Sequence, residues 1–331
     1  MHMADALLSP AVACGMYALS AGATAVSINK LREDEDILVP KMGVLGAFVF
    51  AAQMANFTIP GTGASGHICG GMLLSAMLGP YAGFVSMIGI LLIQCLFFAD
   101  GGLMALGGNI WNMAFYGCFL GGAVIWKLFT KKGLTRTKIV LASVIGSTVS
   151  LSLGAFSVTL ETLISKITTL PFGVFLGAMI PIHIVIGVVE GLLTAAVLIF
   201  VYETRPEFLW TENASEKDAK MSAKSVIAIL AVMTVVLGAG VSLLASSNPD
   251  GLEWSVENVA GDFLESAPST APQIITGIQE KLAFMPDYGF KNSDSAVATS
   301  LSGVVGSLIV VALVAAGCYL LKAVKKKNEQ V

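Results

Sequence analysis

The sequence predicts an all-α, polytopic membrane protein with about nine transmembrane helices. Of its 331 residues, 55% are hydrophobic and only 12% are charged, and the mean hydropathy is +0.81. An average soluble domain has about twice that share of charged residues. A helix needs about 20 apolar residues to cross a hydrocarbon core of about 30 Å, and the chain contains such stretches repeatedly. Lipid is therefore the expected solvent.

Nine apolar stretches are predicted to be helices in the membrane. They lie at roughly 8–28, 42–57, 67–79, 81–99, 108–129, 139–158, 173–202, 225–245 and 297–321. The third is short and rich in glycine, which fits a helix buried among other helices better than a helix that faces lipid.

A connector of mixed charge at residues 206–224 divides these helices into seven and two. The sequence therefore predicts an N-terminal module, residues 1–205, and a C-terminal module, residues 225–331. Between the last two spans lie the polar residues 246–295, which are expected to form a small, partly ordered external segment whose role stays open.

The positive charges predict an N-terminus outside the cell and a C-terminus in the cytoplasm. When the connectors are assigned alternately to the two sides, 16 of the 19 Lys and Arg residues fall on one face. Such an excess marks the cytoplasmic side. The net charge of −3 and the scattered basic residues give no indication of nucleic-acid binding.

The N-terminus carries a possible metal-chelating group. Met1-His2-Met3-Ala4-Asp5 lacks the basic start of a signal peptide, so these residues are expected to remain on the mature chain. The α-amine, the His2 amide nitrogen and the His2 Nδ1 atom can close two fused chelate rings around one ion. A fourth nitrogen would complete a square plane, which favours Ni(II) or Cu(II) among first-row ions.

His67 is a candidate for the fourth nitrogen, because it is predicted to lie on the same side of the membrane. It follows Ser65 in a glycine-rich stretch, where the backbone can approach a ligand closely. Asn56 precedes this stretch and could support the His67 ring, as ligand histidines generally require. Alternatively, His2 is incidental and His67 is an ordinary interfacial histidine.

His183 and Glu190 form a second candidate pair within an apolar stretch. Their spacing of seven places both on one face of a helix. Ionisable groups in membrane helices are rare and usually turn towards the interior. Two interpretations stay open, a hydrogen-bond network that joins helices and a path for an ion. Asp100 and Asn109 form another polar group, for which an external turn is a sufficient explanation.

These motifs resemble those of the substrate-binding (S) components of energy-coupling-factor (ECF) transporters for nickel and cobalt, the CbiM or NikM family. The resemblance covers about residues 1–205 and rests on Met1-His2, the loop from Asn56 to His67, the segment 98–109 and the stretch from His183 to Glu190. Residues 249–253, Pro-Asp-Gly-Leu-Glu, resemble the auxiliary CbiN or NikN subunit, here fused to the first module.

The resemblance implies a multi-pass protein of the prokaryotic plasma membrane that captures Ni²⁺ or Co²⁺ as its transported substrate. The ion would be held by the Met1 amine, the His2 amide and imidazole and the His67 imidazole, with Asp5 orienting the first two. It implies no organic cofactor. Its implied partners are a transmembrane coupling subunit (T component) and cytoplasmic ABC-type ATPases. The chain has no phosphate-binding Gly-x-x-x-x-Gly-Lys-[Ser/Thr] motif, so it is expected to be a transport subunit and not an enzyme.

Two alternatives remain at this point. Square-planar nitrogen ligation favours nickel, and the fused arrangement is, by resemblance, commoner in nickel systems, but a cobalt-specific subunit stays open. The other alternative is an autonomous channel or proton-coupled carrier that uses His183 and Glu190.

Overall fold

The computed structural model describes residues 1–31, 38–212, 218–261, 270–291 and 295–328. The predicted connector and external segment therefore lie partly outside the described residues, at 213–217, 262–269 and 292–294. The described helices of eight or more residues are α1 (Pro10–Lys30), α2 (Leu38–Gln53), α3 (Gly71–Leu78), α4 (Pro80–Phe98), α5 (Leu106–Thr130), α6 (Arg136–Ser165), α7 (Phe172–Thr204), α8 (Ala223–Ala239), α9 (Gly251–Ala260), α10 (Gln273–Leu282) and α11 (Ala296–Asn328). Short 3₁₀ helices span Asp5–Leu7, Pro206–Phe208, Val241–Leu244 and Pro286–Tyr288, and the middle of α5, Ile110–Trp126, is wound as a π-helix.

The polytopic helical fold is confirmed, and an apolar helix coincides with each of the nine predicted spans. Within the described residues, seven helices are long and apolar enough to cross a membrane. The other two are α2, with 16 residues, and α3, with eight residues that are all buried. The third predicted span is thus an interior helix that does not cross the bilayer by its own length.

Helix α3 begins four residues later than predicted, at Gly71. The preceding Gly70 has a left-handed φ of 82°, and a side chain there would come within 2.4 Å of a Val49 methyl group. Glycine is the residue that adopts this conformation without strain. His67 therefore lies in a loop rather than in the helix.

Local sequence signals mark the starts of several helices. Pro10 and Pro80 stand at the first position of α1 and α4, where a missing N–H costs nothing. The side chains of Thr135, Ser222 and Asp250 accept backbone N–H groups at the starts of α6, α8 and α9. Such capping satisfies donors that have no partner within the helix.

The C-terminal pair of spans packs on the helices of the N-terminal region. Helix α11 lies against α2, α4 and α8, and α6 lies along α7. Helices α8 and α11 approach closely, since a side chain added at Gly303 would lie 2.1 Å from the Gly238 carbonyl oxygen. Helix α9 packs on α7. The two predicted modules therefore share one buried core.

The residues before α1 are folded into the end of the bundle. Met1 is 4% exposed and Met3 is fully buried. The Met3 N–H donates to Asn109 Oδ1 at 2.7 Å, and the Met3 carbonyl accepts the Gly102 N–H at 2.9 Å. A side chain at Gly102 would overlap Asp5, which explains the glycine. The first residues are consequently held in one place by backbone hydrogen bonds.

A short antiparallel pair, β1 (Phe57–Thr58) and β2 (Ser65–Gly66), closes the loop that leads to His67. Phe57 pairs with Gly66, and Thr58 pairs with Ser65. This pairing brings residues 59–64 back on themselves and directs His67 towards the N-terminus.

Candidate functional site

The α-amine of Met1 lies beside His67 at one end of the helical bundle. The amine nitrogen is 3.0 Å from His67 Nε2. The His2 and His67 rings are stacked, with their centroids 5.7 Å apart and an interplanar angle of 14°. The three residues that the sequence singled out as ligands are thus neighbours, although His67 is 65 residues away from His2 in the chain.

The His2 ring is held by side chains of the bundle. Its Nδ1 lies 3.0 Å from Asp100 Oδ1, and its Nε2 lies 3.1 Å from Gln94 Oε1. Gln94 donates to Gln53 at 2.7 Å, and Gln53 donates to the Cys69 carbonyl at 2.7 Å. A chain of hydrogen bonds therefore joins the His2 ring to the loop that follows His67.

Glu190 holds the loop after His67 in place. Its two carboxylate oxygens accept the N–H groups of Cys69 at 2.7 Å and Gly70 at 3.1 Å. Buried backbone donors without such partners would be costly. On the other side of His67, the Ser65 N–H donates to the Pro249 carbonyl at 2.8 Å. The position of His67 is therefore fixed from α7 and from the C-terminal region.

The C-terminal region reaches the same site through two side chains. Asp250 Oδ2 lies 2.5 Å from the Met1 amine and 3.4 Å from His67 Nε2. The Tyr288 hydroxyl donates to Asp100 Oδ2 at 2.5 Å and so contacts the partner of the His2 ring. The site is built from both predicted modules.

Burial and neighbouring charge set the protonation of these groups. Burial lowers the pKa of His67, and the positive charge of the Met1 amine lowers it further. Burial alone would raise the pKa of Asp250, but the amine and His67 hold this pKa well below its usual range. Burial would also raise the pKa of Asp100, but the interaction with His2 outweighs this effect and lowers the pKa of the Asp100 carboxyl. These directions favour the neutral form of the His67 ring and the ionised form of the Asp250 and Asp100 carboxyl groups.

The other predicted residues surround this site at different distances. Asp5 accepts the Ala105 N–H at 3.0 Å and so fixes the turn that follows Asp100. Asn109 binds the backbone of Met3 as described above. Asn56 does not support His67 in the described contacts: its carbonyl accepts the Ser246 N–H at 3.2 Å, which joins it to the C-terminal region.

His183 lies beneath the site. It lines a small cavity of about 10 Å³ together with Met1, His67, Cys69 and Gly251, and its Nδ1 lies 2.7 Å from the Met179 carbonyl oxygen. This hydrogen bond stays within α7, and no direct bond between His183 and Glu190 occurs among the described contacts. Each of the two residues is therefore engaged with backbone groups of its own.

Four residues at the site had no assigned role in the sequence analysis: Gln53, Gln94, Asp250 and Tyr288. Gln53 and Gln94 are buried amides within apolar stretches, and polar groups at such positions are a usual signal of function or of helix pairing. Asp250 belongs to the Pro-Asp-Gly-Leu-Glu segment, but only the fold places it 2.5 Å from the first residue of the chain.

The arrangement offers nitrogen donors for one ion. Among the described residues no group of three or more His, Cys, Asp and Glu side chains has the arrangement of a metal site. The nearest donors are instead the amine and backbone of residues 1 and 2 with the two imidazoles. Such a set can provide four nitrogens in one plane, a geometry that suits Ni(II).

Comparisons with known proteins identify the family. Residues 2–208 match the model of CbiM, described as the cobalt uptake substrate-specific transmembrane region. Residues 224–323 match the PDGLE domain. A relative in Archaeoglobus fulgidus, provisionally named a fused nickel transport protein NikMN, is 34% identical over 318 residues, which cover 95% of this chain and 96% of the relative.

Two further comparisons agree with this result. The fused nickel transport protein NikMN of Rhodobacter capsulatus is 28% identical over 96% of both chains. A crystal structure of a truncated transition metal transporter is 32% identical, with a TM-score of 0.54, and covers 61% of this chain and 99% of its own. The chain therefore belongs to the CbiM family of metal transport proteins of the plasma membrane and carries a fused PDGLE domain.

Proposed function

We propose that this chain is the substrate-capture subunit of an ATP-driven ECF-type importer, with Ni²⁺ as its substrate. One observation carries the proposal: the buried Met1 amine lies 3.0 Å from His67 Nε2, and the His2 ring is stacked on His67. A ligand role accounts for a terminal amine that is buried beside two imidazoles. The nickel transport names of fused relatives that match nearly the whole chain support the same ion.

The proposed ligands are the Met1 amine, the His2 amide nitrogen, His2 Nδ1 and His67 Nε2. The amine and the amide lose a proton when they bind the ion, and the two imidazoles bind in the neutral form. His2 Nδ1 faces Asp100 in the structure, so the ring must exchange this carboxylate for the ion. Planar nitrogen ligation favours Ni²⁺. The description of the family model keeps Co²⁺ as the second candidate.

Release of the ion requires partners in this proposal. A transmembrane coupling subunit and cytoplasmic ABC-type ATPases would supply the energy, since the sequence has no phosphate-binding loop of its own. Residues 1–205 would form the capture module, with the N-terminus outside, and residues 225–331 the auxiliary module. The alternative of an autonomous carrier is less well supported, because Glu190 is engaged with two backbone N–H groups and His183 with the Met179 carbonyl.

The proposal predicts that each chain binds one ion, and that replacing His67 removes this ion whereas replacing His183 does not. The purified full-length protein with its native N-terminus should retain about one equivalent of Ni²⁺ by elemental analysis. His67→Gln should lose it, whereas His183→Gln, a matched change of a buried histidine 2.7 Å from a carbonyl, should retain it. Equal retention by all three proteins would reject the proposed ligand set.

A second prediction tests whether Glu190 positions the loop at His67 or lies on a path for the ion. Glu190→Gln replaces one acceptor by an NH₂ group that faces a backbone N–H, so the loop at His67 should shift. We expect nickel affinity to fall by about 10–100-fold, the usual effect of losing a residue that supports a ligand. Glu161→Gln is the control, since Glu161 is also buried but bonds neither Cys69 nor Gly70. Unchanged affinity with lost uptake would instead favour the carrier hypothesis.

A further inference from the structure

Asp250 contacts two of the proposed ligands from a separate part of the chain. Its Oδ2 atom lies 2.5 Å from the Met1 nitrogen and 3.4 Å from His67 Nε2. These two nitrogens are themselves 3.0 Å apart, so one carboxylate oxygen faces the gap between them. The Asp250 side chain is 17% exposed, and that of His67 is 12% exposed, so water screens this contact only in part.

The position of Asp250 is fixed by the fold of the external segment. Its Oδ1 atom accepts the N–H groups of Leu252 at 2.7 Å and Glu253 at 3.0 Å, while the Glu253 carboxylate accepts the Asp250 N–H at 3.0 Å. This reciprocal capping box orders the start of α9. One carboxylate oxygen is therefore used for capping, which leaves the other directed at the amine and His67.

The loop that carries His67 and the segment that carries Asp250 are joined directly. The Ser65 hydroxyl donates to the Asn248 carbonyl at 2.9 Å, and the Trp254 indole N–H donates to the Thr62 carbonyl at 2.8 Å. Gly251 has no side chain, and one added there would lie 3.2 Å from the His183 ring. Close backbone contact at this point brings Asp250 to the amine.

Charge balance gives Asp250 a role when an ion is bound. A divalent cation with one deprotonated amide and three neutral nitrogens carries a net charge of about +1, and a partly buried charge without a partner is costly. Asp100 faces the His2 ring and the Tyr288 hydroxyl. Asp250 is the carboxylate that faces the amine and His67 together.

We propose that Asp250 is a positioning residue and the counter-ion of the metal site, so that the site is complete only when the PDGLE segment is docked on it. This inference rests on the proposed function, because it assigns a charge partner to the proposed ligands. The segment from Asn248 to Trp254 thereby couples the C-terminal region to high-affinity binding of a divalent cation.

The test compares two variants that each remove one negative charge from the same capping box. Asp250→Asn keeps a good N-cap residue and removes the charge at the amine. Glu253→Gln removes the neighbouring charge, and the glutamine oxygen can still accept the Asp250 N–H that the Glu253 carboxylate accepts. Nickel affinity is measured by calorimetry on the full-length protein with its native N-terminus, together with the absorption spectrum of bound Ni²⁺.

We expect Asp250→Asn to bind Ni²⁺ at least about tenfold more weakly, as for other charge pairs that lose one partner, with the spectrum of the residual complex unchanged. The nickel affinity of Glu253→Gln should remain within about twofold of that of the unaltered protein, because a charge outside the buried pair contributes little. Asp250→Ser, which also retains the cap, repeats the test if Asp250→Asn is not folded.

Three results would overturn the inference: unchanged affinity in both Asp250 variants, tighter binding in either of them, or an equal loss in Glu253→Gln. Tighter binding would mean that Asp250 competes with the ion for its ligands. The inference can fail while the proposed function stands, because the unaltered protein would still bind nickel through His67. If the unaltered protein binds neither Ni²⁺ nor Co²⁺, it is the proposed function that fails.

Discussion

Adding one residue before Met1 is expected to abolish tight nickel binding although both histidines remain. The extra residue converts the Met1 amine into an amide and moves the free amine one residue away, so the two fused chelate rings cannot close on the same ion. The structure adds a steric reason. The Met1 amine is enclosed by His67 and Asp250, and the adjoining cavity measures only about 10 Å³, too small for another residue.

The loss of a residue that supports a ligand lowers metal affinity by up to about 100-fold. We expect the extra residue to lower the nickel affinity by more than this. Calorimetry and elemental analysis would measure it on protein purified without an N-terminal tag. The matched control carries the same extra residue after Val331, at the opposite end of the chain. An extended protein with unaltered affinity would show that the terminal amine is not a ligand and would refute the proposed site.

Acidification should weaken nickel binding steadily between pH 8 and pH 5. The amine and the His2 amide must release protons to bind the ion, so protons compete with nickel. Burial and the nearby amine lower the pKa of His67, so this ring stays neutral below the usual range and adds to the competition only at the acidic end. Each proton displaced per ion reduces the affinity about tenfold per pH unit.

The sign of this effect follows from the direction of each proton transfer. Binding releases protons, so low pH opposes it and high pH favours it. Competition titrations with a coloured nickel chelator at each pH would measure the slope, and circular dichroism would verify that the helices persist. An affinity that does not change over this range would mean that nickel binds without displacing a proton. Because the amine and the amide must each lose a proton to bind the ion, this result would contradict their role as ligands.

The sequence by itself determined the class of the protein and the identity of the candidate ligands. Repeated apolar stretches predicted the helices, because backbone N–H and C=O groups within a bilayer must bond to each other, and a helix satisfies them within one segment. Met1, His2 and His67 could be proposed because amine, amide and imidazole nitrogens have a known preference for planar metal ions. The family resemblance extended this local chemistry to transport, and the comparisons confirmed metal transport at the level of the family.

Only the tertiary structure decided which distant residues meet at the site. The start of α3 depends on Gly70 and on the Glu190 carboxylate, a contact across 120 residues that no local pattern reveals. The roles of Gln53 and Gln94 appear only when α2 and α4 lie side by side. Asp250 reaches the Met1 amine across 249 residues. Hydrophobicity and chelate chemistry act over a few neighbouring residues and can be read along the chain, whereas these pairings depend on how helices pack, which the whole chain determines together.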